Sequence, residues 1–120
     1  VVDSIQFAPT TTDALDEVRR VLRPGGRVVL TCWEASSRHD SGVPARLRDL
    51  DLGEALSRSG FQDVVVDARD DWRAVEMAMW AEAVALDPGD DPALVSFRDE
   101  GVRAVAAPAS LRRVLASATR

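Results

Sequence analysis

The run Pro24-Gly25-Gly26 forces the chain to reverse between an amphipathic stretch and an apolar one, and it constrains the fold more than any other feature. Before it, Leu15, Val18, Val21 and Leu22 recur at helical spacing and share one face. Asp13, Asp16 and Glu17 lie toward the amino end of this stretch, and Arg19, Arg20 and Arg23 toward the carboxyl end, which complements the helix dipole. Pro24 cannot continue a helix, and a Pro-Gly pair suits a turn with positive φ at its second central residue. After the reversal, Arg27 to Trp33 run almost without polarity. A near-continuous apolar strand fits a parallel sheet covered on both faces.

The remaining chain supplies further punctuation. Val1 to Ile5 reads as a strand end and Gln6 to Thr11 as a loop, with Thr12 or Asp13 as the helix cap. Residues 34–44 are polar and turn-rich, an exposed loop. Asp51 caps a helix with Leu52, Ala55 and Leu56 inward, Gly60 stops it, and Val64, Val65 and Val66 make another strand. Trp72, Val75, Met79, Ala83 and Leu86 then form a helical stripe, with Glu76 and Glu82 elsewhere on the surface. Asp91 and Pro92 restart a helix whose Leu94, Phe97, Val102 and Val105 form an apolar face. The tail fits either a helix or a strand over Arg113 to Thr119.

The helix ending in RVLRPGGR, followed by VVLTCW, resembles the helix, turn and fifth strand of class I S-adenosylmethionine-dependent methyltransferases. VVDSIQF resembles the end of that family's fourth strand, and LGEALSRSGFQDVVV its next helix and sixth strand. The matched blocks span residues 1–68; residues 69–108 then read as a helical insertion or lid, and 109–120 as the terminal strand or helix. The resemblance implies an α/β fold, part of a Rossmann-like three-layer αβα domain with a mainly parallel sheet and an antiparallel last strand. It implies S-adenosylmethionine as cofactor and a small-molecule methyl acceptor. The family's glycine-rich loop has no counterpart here: the seven glycines include no G-x-G, and the chain opens inside an apolar run without methionine. The expectation is therefore a carboxyl-terminal half, inactive alone, of an enzyme that transfers methyl groups.

Ligands in open α/β sheets sit beyond the carboxyl ends of strands. The resemblance places Asp3 and Ser4 against the cofactor and Gln6 and Phe7 closer to the acceptor; satisfying backbone groups at a strand end explains Asp3 and Ser4 as well. His39, the sole histidine, sits in the loop after the fifth strand as a candidate general base, though solvation accounts for a lone loop histidine. Trp33 and Glu34 leave that strand where they could pack on or bond the acceptor, and Trp72, Met77, Met79 and Trp80 would line an apolar lid. Core packing explains the same lid residues.

Composition excludes other classes. There is no lysine and no tyrosine among the 120 residues, so a P-loop lysine, a Schiff-base lysine and a tyrosine-lysine dehydrogenase pair are ruled out. A net charge of −5 with scattered arginines gives no basic stripe for nucleic acid. One histidine and one cysteine make no ordinary zinc site. No apolar run reaches the ~18 residues of a membrane span, and a cytoplasmic setting is the default expectation. The alternative reading is an interaction module, in which the apolar strand at Val1 pairs with another chain as a homo-oligomer.

Overall fold

A computed structural model describes residues 1–107 and 109–120. In chain order the elements are a 3-10 turn (Ile5–Phe7), α1 (Thr11–Val21), β1 (Arg27–Ala35), α2 (Ala45–Arg48), α3 (Leu52–Arg58), β2 (Gln62–Ala68), α4 (Asp70–Ala85), α5 (Pro92–Val105) and β3 (Leu111–Thr119). The reversal after α1 needs both its glycines. Gly25 sits at φ +73°, and a Cβ on Gly26 would lie 2.8 Å from the Arg23 carbonyl oxygen. The turn is fastened to the end of β3, where the Arg120 amide donates to the Gly26 carbonyl at 2.8 Å.

The three strands lie in the order β1-β3-β2. The mainly parallel sheet expected from sequence is not what they form, because β3 enters between the other two and pairs antiparallel with each. β1 and β2 consequently run in the same direction. The tail is a strand over Leu111–Thr119, not a helix. Parallel pairing among the described residues is confined to one bridge, Val2 with Thr31. The segment at Val1 stops short of the expected strand end at Ile5 because Asp3, at φ +47°, turns the backbone out of the extended region.

Strand alternation gives the sheet two unlike faces. Val28, Leu30 and Cys32 of β1 stand opposite Ala118, Ala116 and Val114 of β3. Together with Leu15, Leu52, Leu56 and Phe61 they form the core beneath α1 and α3. Asp51 caps α3 as expected, its carboxylate accepting from the Glu54 amide at 2.9 Å. Val21, the last residue of α1, is exposed rather than inward. The opposite face carries Val29, Thr31 and Trp33 with Ser117, Leu115 and Arg113. At its Trp33 end it is covered by α4, through the Trp33–Glu76 and Arg113–Glu76 contacts. Val29 and Val65, at the other end, are half exposed, so a third layer covers only part of the sheet.

Helices α4 and α5 form a hairpin that packs mainly on itself. Gly101 makes the approach possible, since a Cβ there would meet the Trp80 carbonyl oxygen at 3.2 Å. The expected apolar stripes do not face inward: Val75 and Met79 of α4 and Phe97, Val102 and Val105 of α5 are exposed, and only Ala83 is buried. In α4 the interior face is instead Arg73, Glu76, Met77 and Trp80, a stripe of helical period carrying two charges.

Candidate functional site

The carboxyl end of β1 brings four separated stretches together. Arg113, on β3, lies directly opposite Trp33 with its guanidinium carbon 5.4 Å from the Trp33 ring centre. Its Nη1 donates to Asp3 Oδ1 at 2.6 Å, and its Nη2 donates to the other carboxylate oxygen. Its Nε is 3.4 Å from Glu76 Oε2, near enough for charge pairing but poorly directed as a hydrogen bond. Trp33 Nε1 donates to Glu76 Oε1 at 3.3 Å. Burial works against the Arg113 charge, but the bond to Asp3 and the charges of Glu76 and Asp3 outweigh it and hold the guanidinium above its ordinary pKa.

Beside this cluster lies a cavity of about 150 Å³, lined by Trp33, Leu47, Arg73, Glu76, Met77, Trp80, Ala104, Ala107 and Leu111. Arg73 Nε donates to the Leu111 carbonyl at 3.3 Å, fixing the side chain at the wall. Trp80 is braced from behind by Phe97, with ring centres 5.4 Å apart. A wider hollow of about 460 Å³ shares Leu47, Ala104, Ala107 and Leu111 with the cavity and adds Arg46, Glu100 and Arg103. The two share a wall, an apolar inner chamber beside a wider vestibule that carries three charged side chains.

The residues singled out from sequence are distributed unevenly about this chamber. Trp33 and Trp80 line it. Asp3 adjoins it through Arg113 and also accepts from Thr31 Oγ1 at 3.3 Å. Ser4 is exposed, and its carbonyl accepts from the Phe7 amide at 3.0 Å. Gln6 Nε2 donates to the Asp3 carbonyl at 2.8 Å, which leaves its Oε1 buried without a partner. Phe7 is exposed beneath the Arg46 guanidinium at 5.4 Å. Trp72 stacks under Arg69 at 3.9 Å and is not among the residues lining the chamber.

Glu34 points to the opposite face of the sheet from Trp33, as its neighbour in a strand must. It is 1 % exposed; Oε1 accepts from the Leu52 amide at 2.7 Å and Oε2 from Arg112 at 2.9 Å. Glu34 therefore seats the amino end of α3. His39 is exposed in the loop after β1, its backbone amide donating to Ser37 Oγ at 3.2 Å. Next to it, Ser110 and the Gly42 amide hydrogen-bond to Asp40 and lower its pKa, tying the loop to the start of β3. Among the described residues, no three His, Cys, Asp or Glu side chains are grouped to hold a metal ion. No described helix is long and apolar enough to cross a membrane.

Sequence reasoning missed Arg73, Glu76 and Arg113. The signal for the first two was available in the i, i+3, i+4, i+7 spacing of Arg73, Glu76, Met77 and Trp80, had charged residues been admitted to an interior stripe. No protein-family model and no curated protein matches the chain. Solved structures do. Phosphoethanolamine N-methyltransferase 2 of Haemonchus contortus, in complex with phosphomonomethylethanolamine and S-adenosylhomocysteine, superposes on 99% of this chain with a TM-score of 0.71 at 17% identity. A second structure of it, in complex with S-adenosyl-L-methionine, gives 0.68 at 19% identity over the same 99%. The matched part is 32% of that enzyme's chain in each case. The chain thus spans about a third of the length of the structures it matches, and its fold is that of part of a methyltransferase.

Proposed function

We propose that this chain forms one wall of an S-adenosylmethionine-dependent methyltransferase site acting on a small molecule. On this reading, residues 1–68 supply the fourth to sixth strand units, residues 69–108 the lid over the acceptor and residues 109–120 the inserted antiparallel strand. The observation that carries it is the agreement of 99% of the chain with part of a methyltransferase structure. The apolar chamber lies at the carboxyl end of β1, where open α/β sheets bind ligands.

The residues present suit one side of the cofactor. The unpartnered Gln6 Oε1 and the exposed Ser4 offer acceptors for an ammonium group, while the Asp3 carboxylate is already engaged by Arg113. When bound, the cofactor supplies a methyl group on a sulfonium, open to in-line attack. Trp33, Met77 and Trp80 exclude water and orient the acceptor, and positioning of this kind provides much of the rate of such a displacement. Arg113 keeps Asp3, Trp33 and Glu76 in mutual register. His39 is the candidate base for an acceptor that must lose a proton.

The test is to incubate the protein encoded by the whole reading frame with methyl-tritiated S-adenosylmethionine and a panel of small acceptors. Label in a small-molecule product is expected, falling about tenfold or more in Trp80→Ala. Absence of labelled product from every acceptor overturns the proposal. Calorimetry of the 120-residue chain with S-adenosylhomocysteine should show no binding at about millimolar concentration, a free energy near −4 kcal/mol; tight binding would mean that the site is complete within these residues.

A second reading is supported by the half-exposed Val29 and Val65 on the open end of the sheet and by the exposed Val2 beside β1. Apolar surface of this kind suits association with another chain, here a homo-oligomer. Sedimentation at rising concentration tests it, and a monodisperse monomer counts against it.

A further inference from the structure

The chamber's unoccupied hydrogen-bonding capacity is one-sided. Both oxygens of Glu76 already face donors, Trp33 Nε1 at 3.3 Å and Arg113 Nε at 3.4 Å. Both oxygens of Asp3 face Arg113. Arg73, by contrast, engages only its Nε, and among the described residues its two terminal nitrogens make no hydrogen bond or ion pair. Arg46 and Arg103, on the vestibule wall, make no ion pair among the described residues either; the vestibule's one carboxylate, Glu100, stands one helical turn before Arg103 without pairing with it. A half-buried guanidinium with a free fork is a receptor for a carboxylate or phosphate. The chamber, at about 150 Å³, has roughly the volume that holds a single six-membered ring.

We propose that the chamber binds a small molecule with an apolar, ring-sized body and an anionic head group, carboxylate or phosphate. Arg73 grips the head group, Trp33 and Trp80 flank the body, and Arg46 and Arg103 draw the anion through the vestibule. As a statement about the methyl acceptor this rests on the methyltransferase reading; as a statement about binding it does not. The carboxylates beside the inner chamber do not favour a cationic ligand, because Asp3 and Glu76 already share the Arg113 charge; Glu100 stands on the outer vestibule wall, where Arg46 and Arg103 outnumber it.

The test uses the isotope-labelled 120-residue chain and follows its tryptophan indole N–H signals during titration with benzoate, phenyl phosphate, benzyl alcohol and benzylamine. Benzoate or phenyl phosphate should shift the Trp33 and Trp80 signals, binding about tenfold more tightly than benzyl alcohol. The stronger of the two identifies the head group. Arg73→Gln should remove that advantage while the unliganded spectrum stays dispersed, and Arg73→Lys should restore part of it. The double variant Arg46→Gln with Arg103→Gln should weaken binding about twofold to threefold and flatten its salt dependence. Equal binding of the alcohol, preferential binding of benzylamine, or undiminished anion binding in Arg73→Gln would each overturn the proposal. Anion binding without methyl transfer in the tritium assay would leave the chamber's assignment standing and remove the enzymatic one.

Discussion

Arg113 and Asp3 are 110 positions apart in sequence and meet through a two-pronged guanidinium-carboxylate contact. The arginine is 9 % exposed at its side chain and the aspartate 37 %, so the pair lies at the boundary between core and solvent. Through it, β3 holds the loop leading to the 3-10 turn, and Glu76 brings α4 to the same point.

Replacing Arg113 with Leu leaves Asp3 and Glu76 without the cation they share. Removing one partner of a fully buried pair costs 3–5 kcal/mol, and the exposure of Asp3 reduces this to about 2 kcal/mol. Urea unfolding should show that loss, with a smaller one in Arg113→Lys, which keeps charge but not the fork. A change below about 0.5 kcal/mol would show that solvent replaces the contact.

Glu34 separates two effects at one side chain. Glu34→Ala strands the Leu52 amide and Arg112, and should cost about 3 kcal/mol with fraying of α3. Glu34→Gln keeps an acceptor for the amide and loses only the pair with the half-exposed Arg112, so it should cost less than half as much. Equal losses in the two variants would assign the stability to charge rather than to the helix cap.

Cys32 provides a readout of unfolding. Burial first, then the charges of Glu34 and Asp3, push its thiol from 9.0 up to about 12, against the opposing pull of Arg113. Below pH 9 the thiol keeps its proton in both states and contributes no pH dependence. Between 9 and 12 the unfolded chain releases the proton and the folded one holds it, so stability falls as pH rises. At pH 8 a disulfide reagent should react only as fast as the protein opens, and should accelerate in parallel with denaturant-induced unfolding. Rapid reaction in the native protein would contradict the buried placement.

Gly101 sets the spacing of the α4–α5 hairpin. Gly101→Val would press methyl groups against the Trp80 carbonyl, Ala83 and Val84, costing about 1–3 kcal/mol by overpacking. The near-ultraviolet signal of Trp80 against Phe97 should weaken, while amide protection of β1 and β3 stays intact. Loss of protection throughout the sheet would show that the hairpin and the sheet unfold as one unit.

How much of this was legible in the chain differs by kind of information. The Pro24-Gly25-Gly26 reversal, the Asp51 cap and the Asp91-Pro92 start are local, and each stands where its residue chemistry puts it. The partners of β3 are not local: nothing in Leu111–Thr119 says that it inserts between two strands running in one direction. The apolar stripes of α4 and α5 misled because periodicity finds a face without saying what covers it, and here charged residues face inward. Trp33 and Trp80 were visible as aromatics in apolar runs. Arg113, one arginine of fifteen, acquires meaning only once β3 places it opposite Trp33 and beside Asp3.

The sheet order has a consequence for synthesis. β3 follows both of its neighbours in the chain yet lies between them, so β1 and β2 cannot be joined when they leave the ribosome. Until the ribosome delivers the wedge, two valine-rich edges wait open, a state in which unpaired strands invite aggregation. A nonsense codon anywhere before Leu111 would make that waiting state permanent, so translational pausing ahead of this point should be felt as loss of yield rather than as loss of activity per molecule.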